Sequence, residues 1–191
     1  MFPYPLTEAT ALPSTTLPLP LSVNSLALTP LSEADARSIL EWRYNPPYDW
    51  YNPPPLSDEA VANLIDPQWQ FHSIKAGNKF IAYASFGNDG RVTGGDYSDP
   101  AIDIGLGLAP RLTGRGLGAI VLQAILEFAQ TSFQSPAARL TVARFNQRAI
   151  RLYERAGFQP TQEFTHERVA YWVMVKSLGD NAHQSLTARP A

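Results

Sequence analysis

Three glycines at alternate positions, Gly114, Gly116 and Gly118, lie in the stretch RLTGRGLG near the middle of the chain. Because an apolar segment precedes this stretch and the run AIVLQAILEFA follows it, the sequence predicts a strand, a tight turn and a helix. Glycine permits positive φ and a close approach of a ligand to the main chain. A helix N-terminus adds unpaired N–H groups and the positive end of the helix dipole. Together these features are typical of a phosphate site, and Arg111 and Arg115 add positive charge beside it.

Glycines at this spacing would also be explained by a tight turn that binds nothing, and the loop alone does not distinguish the two interpretations. Two other phosphate-binding motifs are excluded by their spacing. A P-loop needs a lysine followed by Ser or Thr after its second glycine, and a dinucleotide fingerprint needs an acidic residue at the end of the next strand. The next predicted strand, RLTVARF, ends instead in Phe145 and Asn146.

The segments AIDIGLGLAPRLTGRGLGAIVLQAILEFA and LTVARFNQRAIRLYERAGF resemble, in this order, the two central motifs of the GNAT acetyltransferase superfamily, which uses acetyl-CoA. The signature of that family is Arg or Gln, two residues, Gly, one residue, and then Gly or Ala. Arg111 begins a literal match, but counting from Pro110 at the strand end favours Thr113 as the first position, followed by Gly116 and Gly118. We adopt the second alignment, in which Thr stands in place of Arg or Gln.

The resemblance implies that backbone amides of the glycine loop bind the pyrophosphate of CoA and that the helix after Asn146 supplies further contacts. It also implies that the strand AIDIGLGL separates from its neighbour, so that a main-chain N–H near Leu106 to Leu108 polarises the thioester carbonyl. Gly105 and Gly107 indicate a bulge in that strand or a close approach to the ligand. The expected cofactor-binding residues are Leu106, Gly107, Leu108, Arg111, Leu112, Thr113, Gly114, Arg115, Gly116, Leu117, Gly118, Asn146, Ala149 and Tyr153.

Acetyl transfer from a thioester to an amine needs a neutral amine, a polarised carbonyl and a proton for the departing thiolate. Asp103 lies at the strand position where many members of the family carry a glutamate base, and a carboxylate there would deprotonate an amine whose pKa is about 10.4. An ordinary polar residue on an alternating strand explains Asp103 equally well. Tyr153 resembles the tyrosine that protonates the thiolate, although an aromatic residue on the inner face of a helix usually belongs to the core.

An aromatic segment, WRYNPPYDWYNPPP, follows the first predicted helix, where the acceptor-site loop lies in the resembling family. Prolines on both sides stiffen it, so its rings are suited either to wall an acceptor pocket or to plug a small core. The former interpretation predicts that the acceptor-binding residues are Trp42, Tyr44, Tyr48, Trp50 and Tyr51.

Composition limits the remaining classes of function. Apolar residues make up 45% of the 191 residues and charged residues 17%, which is typical of a globular protein. A net charge of −2 provides no reason to bind nucleic acid or an anionic membrane, and no segment is apolar over the length of a membrane span. There is no cysteine, and the histidines lack the spacing of metal ligands, so no metal site is expected. The expected location is the cytoplasm.

The predicted order of elements is β α α β β β α β α β β. Such an order favours an α/β (α+β) fold, and the resemblance, which spans residues 25–177, implies a GNAT-like three-layer fold. Its central sheet is expected to be mixed and mostly antiparallel, with six to seven strands flanked by about four helices. Residues 1–24 are proline-rich and predict a flexible N-terminal tail, and residues 178–191 predict a C-terminal tail.

The leading hypothesis is an N-acetyltransferase that moves an acetyl group from acetyl-CoA to a primary amine by direct attack in a ternary complex. The alternative is a catalytically silent CoA-binding sensor or partner-binding module of the same fold. The acceptor amine, on a small molecule or on a protein or peptide, stays open. Whether the protein forms a homodimer is left open as well.

Overall fold

The computed structural model describes residues 21–179, which hold seven strands and four α-helices in the predicted order. The strands are β1 Leu26–Pro30, β2 His72–Ala76, β3 Lys79–Phe86, β4 Ile102–Leu108, β5 Ala137–Ala143, β6 Gln159–His166 and β7 Val169–Ser177. The helices are α1 Glu33–Leu40, α2 Asp58–Ile65, α3 Leu117–Phe133 and α4 Gln147–Arg155. The predicted tails lie outside the described residues, apart from positions 21–24 and 178–179.

Three of the four helices begin at a polar side chain that caps the helix. The hydroxyl oxygen of Ser32 accepts a hydrogen bond from the N–H of Asp35 at 3.2 Å, and that of Ser57 accepts one from the N–H of Ala60 at 3.1 Å. Such a bond satisfies one of the N–H groups that a helix start leaves unpaired. The third cap, Asn146, begins α4, whereas α3 begins after Gly116 with no side-chain cap.

The strands form one seven-stranded sheet in the order β1-β2-β3-β4-β5-β7-β6. Within the described part of the chain β4 and β5 are the only parallel neighbours, which confirms the mixed, mostly antiparallel sheet. This parallel pair is short. Ile102 lies opposite Ala138 and Asp103 opposite Arg139, and no later residue of β4 pairs with β5. The two strands therefore separate after Asp103, as the family resemblance implies.

A bulge in β3 explains where Trp42 lies. Ile74 pairs with Ala82 but the next residue of β2 pairs with Phe80, so one residue of β3 is left without a partner. The extra residue lets Phe80 and Tyr83 face the same side, and Trp42 stacks on both rings at 5.5 and 5.8 Å between ring centroids. Because Trp42 is only 8% exposed, it belongs to the core. The prediction that Trp42 walls the acceptor pocket is therefore corrected.

The opposite face of the sheet packs on α3. Phe86 of β3 contacts Phe128 and Phe133 of α3, with ring centroids 5.4 and 4.9 Å apart. The core also reaches beyond the predicted domain limits of 25 and 177, because Leu21 packs against it and Leu178 is buried. Between residues 21 and 179, no helix combines the length and the apolar character needed to cross a membrane.

Replacing Trp42 with Ala should lower the free energy of unfolding by about 3–5 kcal/mol, because a large buried ring would leave a cavity beneath Phe80 and Tyr83. Trp50, which is 50% exposed, offers a matched control. Urea titration of the two variants measures the difference. Equal destabilisation by Trp42→Ala and Trp50→Ala would contradict the core position of Trp42.

Candidate active site

A cleft of about 800 Å³ opens where β4 and β5 separate. One wall is the second half of β4 and the facing wall is β5 with α4, while the glycine loop and several aromatic residues complete the lining. Most residues that the sequence singles out lie along this cleft, and they are Tyr44, Tyr48, Tyr51, Leu106, Gly107, Leu108, Thr113, Gly114, Gly116, Gly118, Asn146, Ala149 and Tyr153.

The backbone of β4 presents unpaired polar groups to the cleft. Asp103 accepts a hydrogen bond from the N–H of Gly87 and Ala109 donates one to the carbonyl of Ile81, so the odd-numbered residues of β4 bond to β3. In an antiparallel ladder the residues between them point the other way. The N–H groups of Leu106 and Leu108 therefore face the gap left by β5, which fits the expected role in polarising a carbonyl. The N–H of Gly107, in contrast, faces β3.

Gly105 and Gly107 make room for side chains rather than for a bulge, because the pairing of β4 with β3 is continuous. A Cβ at Gly107 would lie 2.7 Å from Cζ of Tyr83. A Cβ at Gly105 would overlap the hydroxyl of Ser85 and lie 3.2 Å from a carboxylate oxygen of Asp89. The missing side chains thus let Tyr83 and Asp89 lie directly on the β4 backbone.

Asp89 is the only acidic residue among the described residues that line the cleft. It lies in a short helical turn after β3, and its carboxylate accepts a hydrogen bond of 2.5 Å from the hydroxyl of Ser85. The residue is open to solvent on one side, but the surrounding protein removes water from the carboxylate and raises its pKa, against the lowering effect of the Ser85 bond. Sequence reasoning missed Asp89, since an Asp in the loop NDG carries no signal of catalysis.

Asp103 has a different environment from the one that the sequence suggests. It is 1% exposed, does not line the cleft, and pairs with Arg139 at 2.5 Å and with Arg91 at 2.7 Å. Its hydrogen bond is the main reason why the pKa of Arg139 is raised. Because Asp103 is held by two guanidinium groups and buried away from the cleft, this geometry argues against Asp103 as the base.

The ion pairs of Asp103 anchor the loop that carries Asp89, which spans residues 87–101. Arg139 also donates to the carbonyls of Asp99 and Tyr97, at 3.0 and 3.3 Å. The ring of Tyr97 lies against both guanidinium groups, 5.3 Å from that of Arg91 and 5.0 Å from that of Arg139. The first part of the loop is therefore attached to Asp103 through Arg91, and its last part to Arg139, which lies opposite Asp103 in the sheet.

The glycine loop leaves open space at two of its three glycines. Gly114 and Gly116 have φ of 74° and 77°, and a Cβ at either position would meet nothing within 4 Å. Gly116 precedes the first turn of α3, where no side chain caps the N–H groups. Gly118 has another role, because its Cβ would lie 3.0 Å from a methyl group of Leu152 on α4. Open glycines at an uncapped helix start fit a phosphate group.

Four residues expected to bind the cofactor do not line the cleft. The guanidinium of Arg111 donates to the carbonyl of Phe80 at 3.3 Å, and Arg115 is exposed on the outer side of the loop. Leu112 is 5% exposed in the core, and Leu117 packs against the core. Thr113, which starts the preferred alignment of the family signature, does line the cleft.

The start of α4 brings two further predicted residues to the cleft. The side chain of Asn146 accepts a hydrogen bond from the N–H of Ala149 at 3.1 Å, so it caps the helix as well as lining the cleft. Tyr153 lies in the cleft wall with only 7% of its surface exposed. Burial raises the pKa of its hydroxyl, and the neighbouring Tyr51 and Tyr83 raise it further. Tyr153 therefore stays protonated.

Four tyrosines besides Tyr153 line the cleft. Tyr44, Tyr48 and Tyr51 come from the aromatic segment, and Tyr83 from β3. The hydroxyl of Tyr44 donates to the carbonyl of Leu108 at 3.0 Å, which ties the segment to β4. Trp50, the remaining predicted residue, is exposed and does not line the cleft. Among residues 21–179 no group of acidic residues and histidines could hold a metal ion.

Comparison with known proteins identifies the class of this fold and cleft. The family model described as "Acetyltransferase (GNAT) domain" matches residues 25–159. The chain belongs to this family and is an acetyl-CoA-dependent acetyltransferase. No curated protein matches the chain.

Solved structures with the same fold include enzymes that act on different amines. Aminoglycoside acetyltransferase AAC(6')-Ib in complex with coenzyme A and kanamycin is 24% identical with a TM-score of 0.65, covering 81% of this chain and 95% of that one. A spermidine N-acetyltransferase chimera from Vibrio cholerae and hSSAT is 21% identical with a TM-score of 0.60, covering 80% and 96%. The protein yncA from Salmonella typhimurium, solved with acetyl-CoA, is 19% identical with a TM-score of 0.58, covering 83% and 97%.

Replacing Gly116 with Asn should weaken acetyl-CoA binding at least about tenfold, because the new side chain would enter the open space above the helix start. Asn tolerates positive φ better than other residues, so the fold should be kept. Calorimetry measures the affinity. Gly77→Asn is the matched control, since Gly77 also has positive φ and open space but lies in the β2–β3 turn. Unchanged affinity in a folded Gly116→Asn variant would contradict this placement.

Proposed function

We propose that this protein transfers the acetyl group of acetyl-CoA to the primary amine of a small molecule by direct attack within a ternary complex. The observation that carries the proposal is a single cleft that is lined by a phosphate-type loop, by tyrosines and by one carboxylate. The amine nitrogen attacks the thioester carbonyl carbon, the carbon–sulfur bond breaks, and the thiolate receives a proton. Each of these requirements has a matching group in the cleft.

The groups that would hold acetyl-CoA are mainly backbone groups. The loop from Thr113 to Gly118 presents the N-terminus of α3 for the pyrophosphate. The separated part of β4 offers the N–H groups of Leu106 and Leu108 to the pantetheine arm and the thioester carbonyl. Asn146 and Ala149 at the start of α4 face them across the gap.

Asp89 is the base in this proposal. Its carboxylate lies against the β4 backbone at Gly105, one residue before the N–H of Leu106. It is also the only acid among the described residues of the cleft lining. A raised pKa makes a carboxylate a stronger proton acceptor near neutral pH. The space that a side chain at Gly105 would fill is thus taken by the Ser85 hydroxyl and the Asp89 carboxylate that it binds.

Tyr153 is the proton donor in this proposal. Its raised pKa keeps the hydroxyl protonated, and its place in the cleft wall across from β4 suits a contact with the sulfur. Because a thiol has a pKa of about 8.5, full transfer from a buried tyrosine is uphill. A hydrogen bond from the hydroxyl to the developing thiolate, completed by water after release, meets the same requirement.

The direct test is release of free CoA thiol when acetyl-CoA is mixed with a panel of amines. The chain has no cysteine, so a thiol-specific dye reports only the product. Amine-dependent release with saturation in both substrates supports the proposal. Tight acetyl-CoA binding without release for any amine would instead favour a catalytically silent CoA-binding module.

Replacing Asp89 with Asn should lower kcat by about a hundredfold, the usual size of general base catalysis. The pH dependence should change as well. Without a base only the free amine reacts, so kcat/KM should rise about tenfold per pH unit up to the pKa of the amine, whereas the wild type should level off above the pKa of Asp89. Initial rates of CoA release between pH 5 and 9 measure both effects.

Stability provides a separate check on Asp89. A carboxylate with a raised folded-state pKa destabilises the folded protein at neutral pH, and this effect disappears as the pH falls through that pKa. The melting temperature of Asp89→Asn at pH 7 should therefore equal or exceed that of the wild type. Asp103→Asn is the contrasting variant, since it leaves Arg139 unpaired in the core and should cost about 3–5 kcal/mol. If Asp89→Asn melts well below the wild type and keeps the wild-type pH dependence of kcat/KM, Asp89 has a structural role and is not the base.

Replacing Tyr153 with Phe should lower kcat by about a hundredfold and leave acetyl-CoA affinity within a factor of about two, because only the hydroxyl is removed. The side chain is largely buried, with its ring centroid 6.0 Å from that of Phe158, so a phenyl ring at this position keeps the packing. Turnover measured with the thiol dye and affinity measured by calorimetry separate the two effects. Wild-type turnover at every pH would assign Tyr153 to the core alone.

A further inference from the structure

The distribution of charge in the cleft constrains the amine that it accepts. Asp89 is the only acid among its described lining residues, whereas Arg148, Arg151 and Arg155 of α4 all line it. None of these three arginines has a carboxylate partner within residues 21–179. The cleft thus offers one negative charge, and the other charged groups around it are positive.

Arg148 brings positive charge to the aromatic segment. Its guanidinium carbon lies 4.0 Å from the centroid of the Tyr48 ring, which is within cation–π distance. Arg148 and Tyr48 also line a smaller adjoining pocket of about 230 Å³, together with Tyr44, Arg43 and Thr113 of the glycine loop. The described lining of that pocket contains two guanidinium groups and no carboxylate. A second ammonium bound near Tyr48 would face a like charge without a counter-charge.

The tyrosines of the cleft favour an acceptor with an aromatic or apolar body. Tyr44, Tyr48, Tyr51 and Tyr83 present phenol rings, and ring faces bind both a single ammonium and a flat apolar group. Burial raises the pKa of Tyr83 to about 12, so its hydroxyl stays neutral beside Asp89. One ammonium at Asp89 would therefore leave a ring-lined space without a second carboxylate for the remainder of the acceptor.

We infer that the acceptor is a small monoamine with an aromatic or apolar body and no second cationic group, an inference that rests on the proposed acetyl transfer. Polyamines and aminoglycosides carry several ammonium groups, and the cleft has a counter-charge for one. The aminoglycoside and spermidine acetyltransferases described above are 24% and 21% identical to this chain. Their likeness concerns the fold, and their acceptors do not transfer with it.

The test compares amines in the CoA-release assay. With the wild type, kcat/KM for phenethylamine and tyramine should exceed that for spermidine and kanamycin by about tenfold or more, the ratio expected when one buried charge lacks a partner. Equal or higher kcat/KM for spermidine or kanamycin would overturn the inference and leave the proposed function intact. No release with any of the four amines would overturn the inference together with the proposed function.

A charge reversal tests the part played by Arg148. Arg148→Glu should raise kcat/KM for spermidine relative to phenethylamine by about tenfold, because it turns the repelling group into a counter-charge. Taking the ratio of the two amines removes any effect of the change on acetyl-CoA. Arg168→Glu is the matched control, since Arg168 is an exposed arginine in the turn between β6 and β7. The same shift in both variants, or no shift in Arg148→Glu, would show that Arg148 does not select the acceptor.

Discussion

The separation of β4 from β5 begins at one rung of the sheet, where Asp103 lies opposite Arg139. Each partner is almost completely buried, and the pair is joined by hydrogen bonds of 2.5 and 2.9 Å. A buried ion pair of this geometry is costly to break, so it holds the strands together up to that rung. Beyond it the strands have no ladder bonds to each other, and the cleft forms in the gap. The N–H groups of Leu106 and Leu108, the loop and the tyrosines all face that gap.

The same ion pair determines which carboxylate is available for chemistry. Asp103 is occupied by Arg139 and Arg91, and it fastens the loop that carries Asp89. Asp89 has a serine hydroxyl as its partner and keeps one side open to the cleft. Because the Asp89 carboxylate has lost water without gaining a cation, its pKa is raised and it takes up a proton more readily. The two acids are fourteen positions apart in the chain, and their roles differ because of their neighbours.

The glycines around the cleft illustrate three separate uses of a missing side chain. Gly105 and Gly107 let Asp89 and Tyr83 lie on the β4 backbone. Gly116 turns the chain into α3 with positive φ and open space above it, and Gly118 lets α3 approach Leu152 of α4. Substitution should therefore have different effects at these positions, on the proposed base, on phosphate binding and on helix packing.

Local patterns in the sequence determined the elements, their order, the helix caps and the family, because hydrophobic period, capping and turn chemistry act over a few residues. The glycine loop, Asn146 and Tyr153 were predictable for the same reason, since each is part of a contiguous motif. Only the tertiary structure decided that Asp103 and Trp42 are buried away from the cleft and that Asp89 lines it. Asp103 meets Arg139 across 36 positions, Asp89 reaches the cleft through glycines of another strand, and Trp42 is buried by a bulge in β3. Burial and ion pairing depend on such long-range neighbours, which one sequence does not reveal.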